Sequence, residues 1–309
     1  MKLAAASLFA LVANAVLSQA ASGTNYSSLD SNLTVRTSTG TFTGIIDADF
    51  PNTRQWRAIP FAGPPAGSRR WLPPQKFSSS PSKHHYANKL RPSCPQFVTA
   101  VESVWNLPIT KSETTSEDCL YLAVWTPTAP PPKKWVPVLF FMTGGGFIIG
   151  GIDLPWQIPT PWVDRPQSVI IVTINYRINI FGFPNARRLA NGDQNLGILD
   201  QRAALEWVRG NIAAFGGDPG RIMQWGRSAG VVSADLHAYA YHVDPTAQSY
   251  YLESGTALTM NPADDSKHFN FSFVAQHVGC AEPCGVGCED RDGAAELDCM
   301  RRISKPVGH

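Results

Sequence analysis

The sequence runs to 309 residues, 43% of them apolar and 16% charged, with a formal net charge of +2. Such a composition supports a sizeable buried core and excludes a generally disordered chain. The near-balanced charge, with no dense Lys/Arg run, leaves no electrostatic footprint for nucleic acid.

In chain order, the first stretch is MKLAAASLFALVANAVLSQA. One Lys, a short apolar run and small residues at Ser18 and Ala20 are the layout of a cleavable secretory signal over residues 1–20. The run is interrupted by Asn14 and is too short for a comfortable bilayer span. The expectation is an exported mature domain over residues 21–309 without a transmembrane anchor. Sequons at Asn25, Asn32 and Asn270 are acceptors for surface glycans in that compartment.

From Val35 to Ile46, polar and apolar residues alternate around Gly40 and Gly44, which predicts a hairpin. The proline-rich IPFAGPPAGSRRWLPP that follows predicts an ordered loop. Three apolar runs, Leu120 to Trp125, Val136 to Met142 and Val169 to Ile174, read as strands of a sheet covered on both faces. The second leads into FFMTGGGF, where Gly144, Gly145 and Gly146 form either a tight turn or a loop whose N–H groups approach a reacting carbonyl.

Helical spacing of Ile198, Leu205, Val208, Ile212 and Phe215 predicts an amphipathic helix, with Asp193 and Asn195 available as caps. It stops at FGGDPG, where Asp218 reads as a turn former. A short strand over Arg221 to Trp225 and a helix from Ser228 to about Tyr241 complete an α/β pattern with a largely parallel sheet.

Between that strand and that helix stands WGRSAG. GxSxG alone is common by chance, but a strand-to-helix position lets a sharp turn lift the Ser228 hydroxyl clear of the sheet. Side chains two residues away on either side would collide with the packed elements, and Gly226 and Gly230 have none. The helix start also turns free N–H groups toward developing negative charge.

Together, AIPFAGPPAGSRRW, SEDCLYLAVWTP, PVLFFMTGGGF, VTINYRINIFGF, NLGILDQRAALEWVRGNIAAFGGDP, WGRSAG and LESGTAL resemble the type B carboxylesterase/lipase family, the cholinesterase-like α/β-hydrolases. The resemblance implies an α/β-hydrolase fold with a mostly parallel central sheet and helices on both faces. It implies Ser228 as nucleophile, an oxyanion hole of Gly145, Gly146 and Ala229 N–H groups, and a small-molecule or lipid ester substrate, without metal or organic cofactor. Cys94 with Cys119, and Cys280 with Cys299, are the implied disulfides, leaving Cys284 and Cys288 as extras whose pairing stays open. Spacing alone leaves many pairings open, and the cluster from Cys280 to Cys299 lacks the CxxC pair of a zinc site.

Two positions depart from the family pattern. Arg227 stands where an acid commonly precedes the serine, and Thr143 where His or an aromatic precedes the glycines. The triad acid and histidine of the family fall past His309, so the expectation is a C-terminally truncated chain, inactive by itself. His237 does not substitute, since nine helical positions carry it roughly 13 Å along the axis and about 180° round from Ser228. His242 lies farther along, and His84, His85, His268, His277 and His309 read as loop residues or stand outside the motifs. The rival expectation is a non-catalytic cholinesterase-like binding protein that keeps the fold for interaction.

Overall fold

The structure is a computed structural model that describes residues 33–79, 83–96, 115–130, 135–189, 194–259, 265, 267–280 and 292–304. The expected signal segment, the sequons at Asn25 and Asn32, and Asp193, Cys284, Cys288 and His309 lie outside the described residues.

The expected hairpin forms from β1 (Thr34–Thr37) and β2 (Gly40–Thr43), paired antiparallel. A short β5 (His84–Tyr86) joins it in parallel, so His84 and His85 lie on a strand and not in the expected loop. The pairing is reinforced by a hydrogen bond of 2.8 Å between the Thr43 hydroxyl and His84 Nε2.

The main sheet has seven strands in the order β10-β9-β7-β8-β6-β4-β3. They are β3 (Ile45–Asp47), β4 (Phe50–Pro60), β6 (Tyr121–Pro127), β7 (Val136–Met142), β8 (Ile170–Ile174), β9 (Gly217–Arg227) and β10 (Ser249–Glu253). The sheet is mixed. Pairs from β10 through β9 and β7 to β8 are parallel, whereas β8 with β6, β6 with β4, and β4 with β3 are antiparallel. The parallel half is the part built by helical crossovers, which antiparallel hairpin neighbours do not need.

The sequence reading found β6, β7 and β8 but not β4, whose inward positions include the polar Thr53 and Gln55 beside Trp56. It also placed β9 too short: Asp218 lies near the start of that strand, where its carboxylate accepts from Gly220 N–H at 2.9 Å and pairs with Arg221 at 2.7 Å.

Helices cover both faces. Along β8, Ile170, Val172 and Ile174 pack into a core with Leu205, Val208 and Ile212, while Ile171 points to a smaller cluster with Val163. Strand alternation thus divides one apolar run between two layers. Val163 belongs to α1 (Thr160–Asp164), which is followed by α2 (Asn179–Gly182). The long α3 (Leu196–Asn211) forms as its spacing predicts, with Asn195 at the N-cap but no side-chain capping bond. Gly216, at φ 90°, ends the last turn and releases the chain into β9. Then come α4 (Ala229–Ala240), α5 (Phe269–His277) and α6 (Ala294–Arg302). Phe271 and Ala275 of α5 and Leu297 and Met300 of α6 pack with Trp71 in a third cluster.

Two disulfides tie this framework, Cys94–Cys119 and Cys280–Cys299, as the resemblance implies. Among the described residues no helix is long and apolar enough to cross a membrane.

Candidate active site

Strand β9 ends at Arg227 and α4 begins at Ala229, so the whole reversal falls on Ser228. Its backbone is at φ 54° and ψ −121°. For a residue with a Cβ such a conformation costs about 1–3 kcal/mol, and it persists only where the surroundings enforce it. Here they do. A side chain at Gly226 would run into the backbone of Gly230, and one at Gly230 into the carbonyls of Met142 and Thr143. Ser228 N–H donates to the Glu253 carbonyl at 3.1 Å, and the Ser228 carbonyl accepts from Val231 and Val232 in the first turn of α4. The serine side chain is exposed.

Strands β7 and β9 are in register with Met142 opposite Gly226, so the glycine loop leaves the sheet beside the serine. A Cβ at Gly144 would strike the Arg227 carbonyl and come within 3.1 Å of the Ser228 Cβ. Gly145 has φ 122° and Gly146 φ 62°, conformations that an L side chain resists. The Gly145 and Gly146 N–H groups make no hydrogen bond among the described residues. Ala229, first in its helix, has no intrahelical acceptor for its N–H. Acyl transfer through an oxyanion requires N–H donors without other partners within reach of the attacking hydroxyl.

The two departures have structural partners. Thr143 is buried, and its carbonyl accepts the Tyr176 hydroxyl at 2.7 Å, fixing the loop's first residue. Arg227 Nε lies 3.9 Å from Glu253 Oε1 on the neighbouring strand, both side chains half-exposed. Three supports went unread in VTINYRINIFGF: Asn175, Tyr176 and Asn179. Polar residues directly after a buried strand were the available signal.

No histidine or carboxylate is hydrogen-bonded to the Ser228 hydroxyl among the described residues. His242 is turned to the Tyr239 carbonyl at 3.0 Å, and His268 and His277 belong to the start and end of α5. His237 is buried, 1% exposed, and its ring meets Tyr241 edge-on at 5.5 Å. Neither of its nitrogens has a well-formed hydrogen bond. Burial pushes its pKa down from 6.5 to about 4, the Ile198 carbonyl opposing and the Arg202 cation adding to the shift.

A histidine with a depressed pKa binds fewer protons folded than unfolded, so its contribution is intact above pH 6.5 and is lost as the pH falls through about 4. At full expression the loss is about 3 kcal/mol. Urea unfolding at a series of pH values should show that decline, and His237→Leu should flatten it. An unchanged slope in the variant would assign the acid sensitivity to other groups.

Asn270 is exposed on the first turn of α5, with its sequon partner Ser272 donating to Glu296 at 3.1 Å. Among the described residues no group of His, Cys, Asp and Glu is arranged to hold a metal ion.

A chlorogenic acid esterase of Aspergillus niger is 40% identical over 278 residues, covering 88% of this chain and 52% of that protein. Secreted lipase 5 of Gibberella zeae is 36% identical over 291 residues, covering 88% of this chain and 53% of its own length. The chain therefore spans about half the length of these relatives. Among solved structures, a thermophilic PNB esterase superposes with a TM-score of 0.70 at 29% identity, over 89% of this chain and 52% of that one, and so the fold is that of an α/β-hydrolase. The profile of the carboxylesterase family matches residues 31–306, and the chain belongs to that family.

Proposed function

We propose that Ser228 is the nucleophile of a secreted carboxylic-ester hydrolase. The observation that supports this most is its strained, exposed placement against Gly144, which opens a loop whose Gly145 and Gly146 N–H groups make no hydrogen bond among the described residues. Its Oγ would attack the ester carbonyl carbon, the carbonyl π pair moving to oxygen. The Gly145, Gly146 and Ala229 N–H groups would then donate to that oxyanion. Collapse of the tetrahedral adduct breaks the bond to the alcohol, which leaves with a proton, and water frees the acid from Ser228. The small-molecule or lipid ester substrate is suggested by the names of the esterase and lipase relatives. Secretion is supported by the relative named a secreted lipase and by the two disulfides, and a glycan on Asn270 fits the same compartment.

The Oγ proton needs a base, a contribution of about 10²–10⁴ in rate. With none hydrogen-bonded to Ser228 among the described residues, this chain by itself should react slowly. On prolonged exposure to a fluorophosphonate probe, Ser228 should be labelled, faster with added imidazole as external base, and Ser228→Ala should abolish the label. A folded protein that stays unlabelled under both conditions would favour the binding-protein reading instead.

A further inference from the structure

A run of three glycines has no side chains with which to lock its own conformation, and glycine has the most backbone freedom to lose. Yet an oxyanion site stabilises charge only when its donors are fixed beforehand. Something outside the loop has to hold it.

Gln96 stands two residues past Cys94, close to the Cys94–Cys119 disulfide. Its side-chain amide matches the peptide groups of Gly150 in both directions: Gly150 N–H donates to Oε1 at 2.9 Å, and Nε2 donates to the Gly150 carbonyl at 3.0 Å. The same Nε2 donates to the Cys94 carbonyl at 3.1 Å. Gly150, at φ 122°, packs so closely that a Cβ there would lie 2.5 Å from the Gly144 carbonyl oxygen. Gly144 in turn lies against Ser228. Ile148 and Ile149 N–H groups close the intervening turn on the Gly145 carbonyl at 3.0 and 3.1 Å. Contacts on either side of Gln96 extend the brace. Ser93 donates to Asp153 at 2.5 Å, and Asn179 Nδ2 donates to the Pro95 carbonyl at 2.8 Å while its N–H donates to Phe147 at 2.6 Å.

We propose that Gln96 is a positioning residue: by pinning Gly150 in both directions it holds the glycine loop in the conformation that presents the Gly145 and Gly146 N–H groups at Ser228. Its catalytic meaning rests on Ser228 being the nucleophile, whereas the pinning does not.

Amide hydrogen exchange on the full chain tests the pinning. Both hydrogen bonds to Gly150, of ordinary net strength, are lost in Gln96→Ala, so Ile148, Ile149 and Gly150 should exchange about tenfold faster, with β7 and β9 unchanged. Gln96→Glu supplies an acceptor but no donor while ionised. It should therefore keep the bond from Gly150 N–H but lose the one to the Gly150 carbonyl, protect the loop less than wild type at neutral pH, and regain protection, corrected for intrinsic rates, as acid protonates the carboxyl and restores an O–H donor. Loop protection unchanged in Gln96→Ala, or a loss spread evenly over the sheet, would overturn the proposal. Where the wild type takes a fluorophosphonate, Gln96→Ala should slow bond formation about tenfold with probe binding unchanged. A wild type that never labels would refute the nucleophile reading, with the exchange result still deciding whether Gln96 pins the loop.

Discussion

Gly230→Ala should destabilise the protein by about 3 kcal/mol and displace Ser228, while the same substitution at Gly210 should stabilise it by up to about 1 kcal/mol. The opposite signs come from surroundings. A Cβ at Gly230 meets the main-chain carbonyls of Met142 and Thr143, which cannot rotate aside as a side chain would. Relief requires α4 to move away from the end of β7, and the residue that joins α4 to β9 is Ser228. Gly210 lies on α3 with nothing within 4 Å of a new Cβ, so alanine there only removes freedom from the unfolded chain. Urea unfolding of both variants checks the pair. A Gly230→Ala protein as stable as wild type would mean that the elbow is looser than described.

The second large effect is expected at Asp200. Its carboxylate accepts from Arg177 Nε at 2.8 Å, from Arg177 Nη2 at 2.7 Å and from the Arg177 backbone N–H at 3.0 Å. The side chains are 3% and 0% exposed. Removing one member leaves the other charge buried without its counter-ion, which typically costs about 3–5 kcal/mol. Asp200→Ala should lose that much in urea unfolding. Arg177→Met combined with Asp200→Leu should recover much of it, because the desolvation cost of both ions disappears together. Arg177 follows Tyr176, whose hydroxyl holds the Thr143 carbonyl just before the glycines, and so the single variant should also loosen the candidate site. Equal losses in the single and double variants would show that packing, and not the orphaned charge, sets the cost.

What was legible in the sequence follows from how each feature is encoded. Strands β7 and β8 announce themselves as unbroken apolar runs because both their faces are covered. The serine elbow is legible because a strained turn between packed elements demands small residues at fixed offsets, here Gly226 and Gly230. β4 was missed because polar Thr53 and Gln55 break its buried pattern, and Gln55 Oε1 takes its partner, Arg57 Nη2 at 2.6 Å, from the same strand. Gln96 was equally silent. A glutamine near a cysteine carries no local pattern, and its role appears only when Gly150, 54 residues away in sequence, folds against it. Arg227 was visible as a departure, but its counter-charge Glu253 became apparent only once β10 paired with β9 in register.

For Ser228 to be the nucleophile, its hydroxyl must face the Gly145, Gly146 and Ala229 N–H groups. The most direct measurement is a crystal structure of the protein after reaction with a phosphonate. The expected result is a covalent adduct on Ser228 Oγ, with the phosphoryl oxygen about 2.7–3.1 Å from the Gly145, Gly146 and Ala229 nitrogens. An adduct whose oxygen faces solvent, or a phosphonate attached elsewhere with Ser228 unmodified, would contradict it.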